Sequence, residues 1–403
     1  MSACIQFIDC KLCLIHIPLP LYSHFIHAIF QLILPDETVQ DYNSSDGTIA
    51  AEFINISVTP VECSVVCPKD AATRFFRPII QALGPEQRET VCISDDAFIA
   101  IQVNGEGLDA GQRVLDLTSP LALAGISIFF ITTYFSDYIV VPSKSRSAVI
   151  TALQNRGFIF ESYTDSYISP SPITPQASSA PIIPTDVAIP TPTTLAGLTT
   201  HTFATLADHH ITPLVDPTLR LHLTATYPPT RPSLLLALLR TLSARPRFIS
   251  ITITDTEPIS LLLEESAVAG VMRGEGLLGG GGGGGGISGM GGLADGEGEG
   301  GMGGGEVLIP IVLDLRRLPE DATGIVCGVA GRLVGGRERE RERDGEQREA
   351  GKEREGEGGL GVIGGGTTGG VKGVEMSYLS TARAGTVMVR EEDLGRAVEA
   401  LGY

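Results

Sequence analysis

The apolar positions change period in a fixed order along the chain. Residues 97–103 alternate as a strand does, and residues 114–123 carry apolar side chains at helical spacing. Residues 126–132 and 138–141 alternate again about a polar turn, and residues 143–155 return to helical spacing. This order predicts a strand, a helix, a hairpin and a second helix, the βαββα plan close to the ferredoxin-like split βαβ unit. One such unit leaves a sheet edge uncovered, so it predicts partners of its own kind.

The same order recurs. Phe53 to Ala72 overlays Phe248 to Ala267 without a gap, and Lys11 to Leu34 overlays Leu219 to Leu242, with Pro20 and Pro228 in matching turns. Ile126 to Asn155 overlays Val374 to Tyr403, sharing Thr133/Thr381, Val141/Val389, Ala152/Ala400 and Leu153/Leu401. Residues 1–160 therefore recur in residues 214–403. The expected fold class is α+β, with four ferredoxin-like βαββα modules over 1–88, 89–162, 214–273 and 306–403, arranged as two duplicated pairs.

Three stretches break the pattern. Residues 163–213 open with a Pro-, Ser- and Thr-rich run from Tyr163 to Thr199 and read as an extended linker. Residues 274–305 include eight consecutive glycines, Gly279 to Gly286, and such a run cannot offset its ordering entropy. Residues 337–373 begin RERERERDG and decay into glycine, a solvated insertion within the last module. Much of the chain's 49 Gly and 25 Pro falls in these segments.

Charge narrows the partners. A net charge of -18 opposes phosphate backbones and anionic lipid, so neither nucleic acid nor a membrane is expected. Leu12 to Pro35 and Leu117 to Ser136 are uncharged over a bilayer's length, yet prolines and polar pairs read better as strand, turn and helix in a buried core. Seven cysteines form an odd set without a secretory leader, which predicts reduced thiols in a cytoplasmic protein.

Candidate chemistry is thin. Gly105, Gly107 and Gly111 between strand and helix have the spacing GxGxxxG, not that of a dinucleotide loop, and no cofactor is expected; these glycines free backbone N–H groups near a ligand carboxylate. Cys10 and Cys13, three apart on a strand, face opposite sides and cannot share a metal with Cys63 and Cys67. His209, His210 and Asp216 fall in a polar approach to the third module. No nucleophile, zinc or nucleotide signature occurs, so no catalytic residue is assigned and the chain is read as no enzyme.

Ile126 to Asn155, Asp321 to Gly331 (DATGIVCGVAG) and Val374 to Tyr403 resemble the CASTOR-type arginine sensors of the TOR pathway, built from four ACT modules. The resemblance covers about three quarters of the chain. It implies an amino acid held between the second and fourth modules. Gly324 and Ile325, entering a helix, would offer N–H groups to its carboxylate, while Ser127 and Ile128, opening a strand, would accept from its ammonium. Thr381 matches a position lining the side-chain pocket. The acids that hold a guanidinium in the family fall here on Gly385 and Ala322, although Asp321 stands beside the latter. A guanidinium buried without either costs about 3–5 kcal/mol, so a neutral amino acid is expected over arginine. Asp137 keeps an acid at the position equivalent to Gly385, suggesting a second pocket facing Glu375 and Met376. The implied function is a non-catalytic regulatory protein that signals through a protein complex or as a homodimer. The alternatives are a ligand-free scaffold for a TOR-pathway or amino-acid-metabolism protein, and an allosteric subunit acting on an enzyme in trans.

Overall fold

The computed structural model describes residues 4–34, 53–104, 110–160, 192–226, 232–272, 306–319, 322–334 and 374–402. The low-complexity segments 274–305 and 337–373, with Gly105, Gly107 and Asp321, lie outside them.

The twelve main strands are β1 (Cys4–Pro18), β2 (Phe53–Val58), β3 (Glu62–Pro68), β4 (Phe98–Asn104), β5 (Phe129–Thr132), β6 (Asp137–Pro142), β7 (Leu221–Thr226), β8 (Ile249–Thr254), β9 (Ile259–Glu264), β10 (Leu308–Asp314), β11 (Met376–Ser380) and β12 (Ala384–Arg390). The helices that pack on them are α1 (Tyr22–Ile33), α2 (Ala110–Leu123), α3 (Arg146–Gln154), α4 (Leu195–Asp208), α5 (Pro232–Ser243), α6 (Glu265–Met272), α7 (Ile325–Val334) and α8 (Leu394–Leu401), with short helical turns between Lys69 and Thr90. A strand, helix, strand, strand order thus runs four times, beginning at β1, β4, β7 and β10.

The strands join in a single barrel-like ring, in the order β7-β9-β8-β2-β3-β1-β4-β6-β5-β11-β12-β10, every pairing antiparallel. The ring closes where Leu221 of β7 pairs with Leu308 of β10. The edges left by each half are covered by the other: β2 pairs with β8 from Phe53↔Thr254 to Val58↔Ile249, and β5 meets β11 at Ile131↔Leu379. Strands buried on both faces explain the near-continuous apolar runs FINISV and ISLLLE.

Side-chain alternation sorts the core into layers. On β1, Ile8, Cys10 and Leu12 face a layer inside the ring with Phe53, Tyr138, Phe248 and Met388. Cys13, Ile15 and Ile17 face outward beneath α1 and α5. Helix α1 buries Tyr22, Phe25, Ile29, Leu32 and Ile33 at the three-to-four spacing that puts them on one face. Fully burying side chains such as Phe25 and Ile29 contributes about 1.5–3 kcal/mol each. A third layer lies under α2, α4 and α7.

Helix α4 corrects the reading of 163–213 as extended linker. Thr194 caps it by accepting from the Gly197 amide at 3.1 Å, and Leu198, Thr202, Phe203 and Leu206 are buried at helical spacing. The Ser, Thr and Pro content of the preceding run masked that periodicity. His209 and His210 end this helix, His210 with φ of 54°. α4 lies close on α7 because α7 presents glycine: a Cβ on Gly328 would stand 2.3 Å from Thr202 Oγ1.

No helix among the described residues is long and apolar enough to cross a membrane. The uncharged stretches at 12–35 and 117–136 instead contain β1 with α1, and α2 with β5.

Candidate functional site

Three segments meet at one end of the β11–β12 hairpin. The first is the start of α7. Gly324, with φ of +80°, accepts the first helical bond from the Gly328 amide at 2.8 Å, which makes it the residue preceding the helix proper. The amides of Ile325, Val326 and Cys327 fall in the first turn, where helix geometry supplies no acceptor. The second segment is the α2–β5 turn carrying Ser127 and Ile128, both half-buried. The third is the turn from Ser380 to Gly385, closed by the Thr381 amide donating to the Ala384 carbonyl at 2.9 Å.

Together they enclose a cavity of about 110 Å³, and Ser127, Ile128, Gly324, Ile325, Thr381 and Gly385 all line it. No carboxylate is among its described lining residues. Ala322, where the resembled family has an acid, lies on its wall.

The hairpin turn is fastened from across the ring. Glu62, fully buried at the β2–β3 turn, accepts from Thr381 Oγ1 at 2.6 Å and from the Arg383 amide, and pairs with His16 Nδ1. Ser64 Oγ accepts from the Ala382 amide at 3.1 Å. The Thr381 hydroxyl is thus engaged within the protein, by Glu62 and by the Ala384 carbonyl at 3.2 Å.

Gly385 is explained by its neighbour across the hairpin. A Cβ there would lie 2.3 Å from the Tyr378 hydroxyl oxygen, so this phenol takes the space a larger residue at 385 would need. Tyr378 also lines the cavity, is 1% exposed, and its hydroxyl has no hydrogen-bond partner among the described residues. Burial pushes the phenol above its ordinary pKa, so it is protonated at neutral pH. Sequence reasoning missed Tyr378. Its signal lay in hairpin register: Ser380 pairs with Gly385, and Tyr378 sits diagonally across, within reach for an aromatic side chain.

The second pocket expected at Asp137 is occupied by the chain itself. Asp137 is fully buried and its Oδ2 pairs with Arg113 Nε from α2. Desolvation raises its pKa, against the lowering pull of the Arg113 charge and hydrogen bond. Glu375, which the second pocket was to face, pairs instead with Arg390 at 2.7 Å. Gly111 packs rather than binds, since a Cβ there would stand 3.1 to 3.2 Å from Val334, Met376 and the Val374 carbonyl.

A larger cavity, about 850 Å³, occupies the comparable corner at the start of α1 and the β2–β3 turn, with Pro20, Tyr22, Thr59, Pro60, Arg245 and Pro310 on its wall. Pro18 and Pro20 there remove N–H groups from the chain entering α1, so it lacks the amide cradle of α7. Among the described residues no group of three His, Cys, Asp or Glu converges on a metal position.

A family model of the ACT domain matches residues 93–155, the run from β4 to α3. No curated protein sequence matches the chain. Solved structures similar to it include protein Atu0741 from Agobacterium tumefaciens, at 18% identity over 41% of this chain and 99% of that one, with a TM-score of 0.26. The regulatory subunit of aspartate kinase from Thermus thermophilus, ligand-free, matches at 18% identity over 37% of this chain and 95% of that one, with a TM-score of 0.25. Aspartate kinase from Synechocystis matches at 11% identity with a TM-score of 0.29, over 98% of this chain and 54% of the enzyme, about half its length.

Proposed function

We propose that the chain is a non-catalytic regulatory protein that binds a small neutral amino acid in the cavity at the start of α7. The four strand–helix–strand–strand runs are read as four ACT modules, the first pairing with the third through β2 and β8, the second with the fourth through β5 and β11. Occupancy then sets which protein the molecule holds, a TOR-pathway complex as in the CASTOR-type sensors it resembles, or a second copy. The observation that carries this reading is convergence: Ser127, Ile128, Gly324, Ile325, Thr381 and Gly385, drawn from distant parts of the chain, line one cavity.

The physical division of labour follows. Helix-start amides suit a carboxylate, and Ser127 with nearby carbonyls suits an ammonium. Without a carboxylate on its described wall, the cavity offers a guanidinium no acid partner. Calorimetry and melting with each of the twenty amino acids test this. A ligand at a hundred times its Kd stabilises by about 2.7 kcal/mol. Tight arginine binding overturns the neutral reading. Silence toward every amino acid replaces it with the ligand-free scaffold, which the small volume favours.

A further inference from the structure

We propose that the larger cavity, at the start of α1, the β2–β3 turn and the end of α5, is a second ligand site, suited to a flat apolar acid with one carboxylate and no ammonium. It stands apart from the amino-acid reading above, which concerns the cavity at α7.

Size and lining come first. At about 850 Å³ the cavity falls within the ~300–1,000 Å³ usual for small-molecule sites. It is reached from solvent where Leu214 is 49% exposed and the side chains of Asp216 and Arg247 are half-exposed. Pro20, Pro60, Pro213, Pro246 and Pro310, from five separate segments, make much of its wall. Proline has no N–H to leave unpaired beneath a ligand and no rotamer freedom to lose, so this wall is apolar and preorganised. A rigid ring laid against it loses little freedom.

Charge decides what the ring carries. Most polar side chains of the wall are engaged within the protein. Tyr22 Oη donates to the Leu242 carbonyl at 2.9 Å, and Thr59 Oγ1 to the Glu62 carbonyl at 3.3 Å. Asp216 accepts from the Thr218 amide at 2.9 Å and from Arg247 at 3.2 Å, while Arg247 also pairs with Glu264 at 3.3 Å. Arg245 differs. Its guanidinium donates to Ser23 Oγ, and no carboxylate pairs with it among the described residues. It lies two residues past α5 with φ of 55°, the left-handed conformation that glycine usually takes at a helix end. Its charge is felt at the wall: burial pushes the Tyr22 phenol above its ordinary pKa and Cys63 adds to that, while Arg245 pulls it back.

A guanidinium with donors to spare takes a carboxylate through two parallel bonds. Pro18 and Pro20 remove amides from the chain entering α1, so Arg245 supplies the anion contact that helix-start amides supply at α7. An ammonium would find Asp216 already held by Arg247 and Thr218, and would face the Arg245 charge. With a net charge of -18 the chain repels anions at large, so uptake of one is a local property of this corner.

Three indoles of one skeleton test this on the full chain: indole-3-propionate, the neutral indole-3-propionamide, and tryptophan, which adds an ammonium. The protein has no tryptophan, so the ligand's own fluorescence reads binding. Indole-3-propionate is expected to bind at least about fivefold tighter than either of the others, with the gap narrowing as salt is added. Arg245→Gly removes the cation at a position whose backbone glycine adopts freely, so it should melt no lower than the parent. In that variant the acid and the propionamide are expected to bind within about twofold of each other. Arg245→Lys keeps the charge and should keep the acid ahead, which separates loss of the cation from damage to the turn. Equal binding of acid and propionamide by the parent overturns the proposal, as does a preference that survives in Arg245→Gly or vanishes equally in Arg245→Lys. Tryptophan binding as tightly as the acid overturns it too, and so does no binding of any indole; none of these outcomes touches the site at α7.

Discussion

The hairpins β5–β6 and β11–β12 occupy equivalent places in the two halves, yet they treat the same corner in opposite ways. At residue 137 the first keeps a buried carboxylate and fills the corner with Arg113 from its own chain. At residue 385 the second has glycine, with Tyr378 reaching toward it and an open cavity alongside. Both turns are fastened by the equivalent glutamate of the partner half. Glu257 accepts from Gln102 Nε2 at 2.8 Å and Tyr138 Oη at 2.9 Å, and also from Ser136, whereas Glu62 holds the Thr381 turn and pairs with His16. The scaffold is shared, and what differs is whether the chain supplies its own occupant. An internal guanidinium fills one corner, and the other keeps an open cavity.

The sharpest way to break this comparison is to remove the internal occupant. Arg113→Met leaves the Asp137 carboxylate buried without its cation and should lower stability at pH 7 by about 3–5 kcal/mol, read by chemical denaturation. Burial already raises the folded-state pKa of Asp137, and losing Arg113 removes a force that lowers it. With the folded value above the unfolded one, the penalty belongs to the ionised form. It should therefore shrink as pH falls toward the unfolded carboxyl range and grow as pH rises through the folded value. Adding Asp137→Asn to Arg113→Met should recover much of the loss.

The two glutamates come next. Glu62→Gln removes charge-assisted bonds to the Thr381 turn and should cost about 1.5–3 kcal/mol. It should also weaken amino-acid binding, because that turn walls the cavity. Glu257→Gln should cost less, since Glu257 is half-buried where Glu62 is fully buried, and leave binding unchanged. Equal effects of the two variants on calorimetric affinity would show that the turns are not independently fastened.

The smallest expected effect is at Gly385. Gly385→Ala drives a methyl toward the Tyr378 oxygen and should destabilise by about 1–2 kcal/mol. Tyr378→Phe in the same chain should relieve most of that, a coupling that a double-mutant cycle measures.

How much of this was legible beforehand varies by residue. The period changes placed β4, α2, β5, β6 and α3 within a few residues of their observed limits, because each element buries one face and so writes its period into the chain. Ser127, Ile128, Gly324 and Ile325 were reachable through resemblance, and they do line one cavity. Tyr378 was not, because its importance arises from a diagonal contact across a hairpin that neither neighbour's identity announces. Arg113 was missed for a similar reason: a lone arginine on a helix is ordinarily solvent-facing, and only the fold brings it over Asp137. Helix α4 was hidden by composition, since threonine and alanine dilute an apolar stripe that Leu198, Phe203 and Leu206 nevertheless carry.

The exchange of strands between halves has a consequence for concentration. β2 against β8 and β5 against β11 are contacts of the sort two subunits make, but here both sides belong to one chain. Two separate half-chains would part on dilution by mass action. Joined, each meets the other at the fixed effective concentration that a covalent tether sets, whatever the amount of protein in solution. The contact between the halves thus has the form of a subunit interface, yet its formation does not depend on dilution.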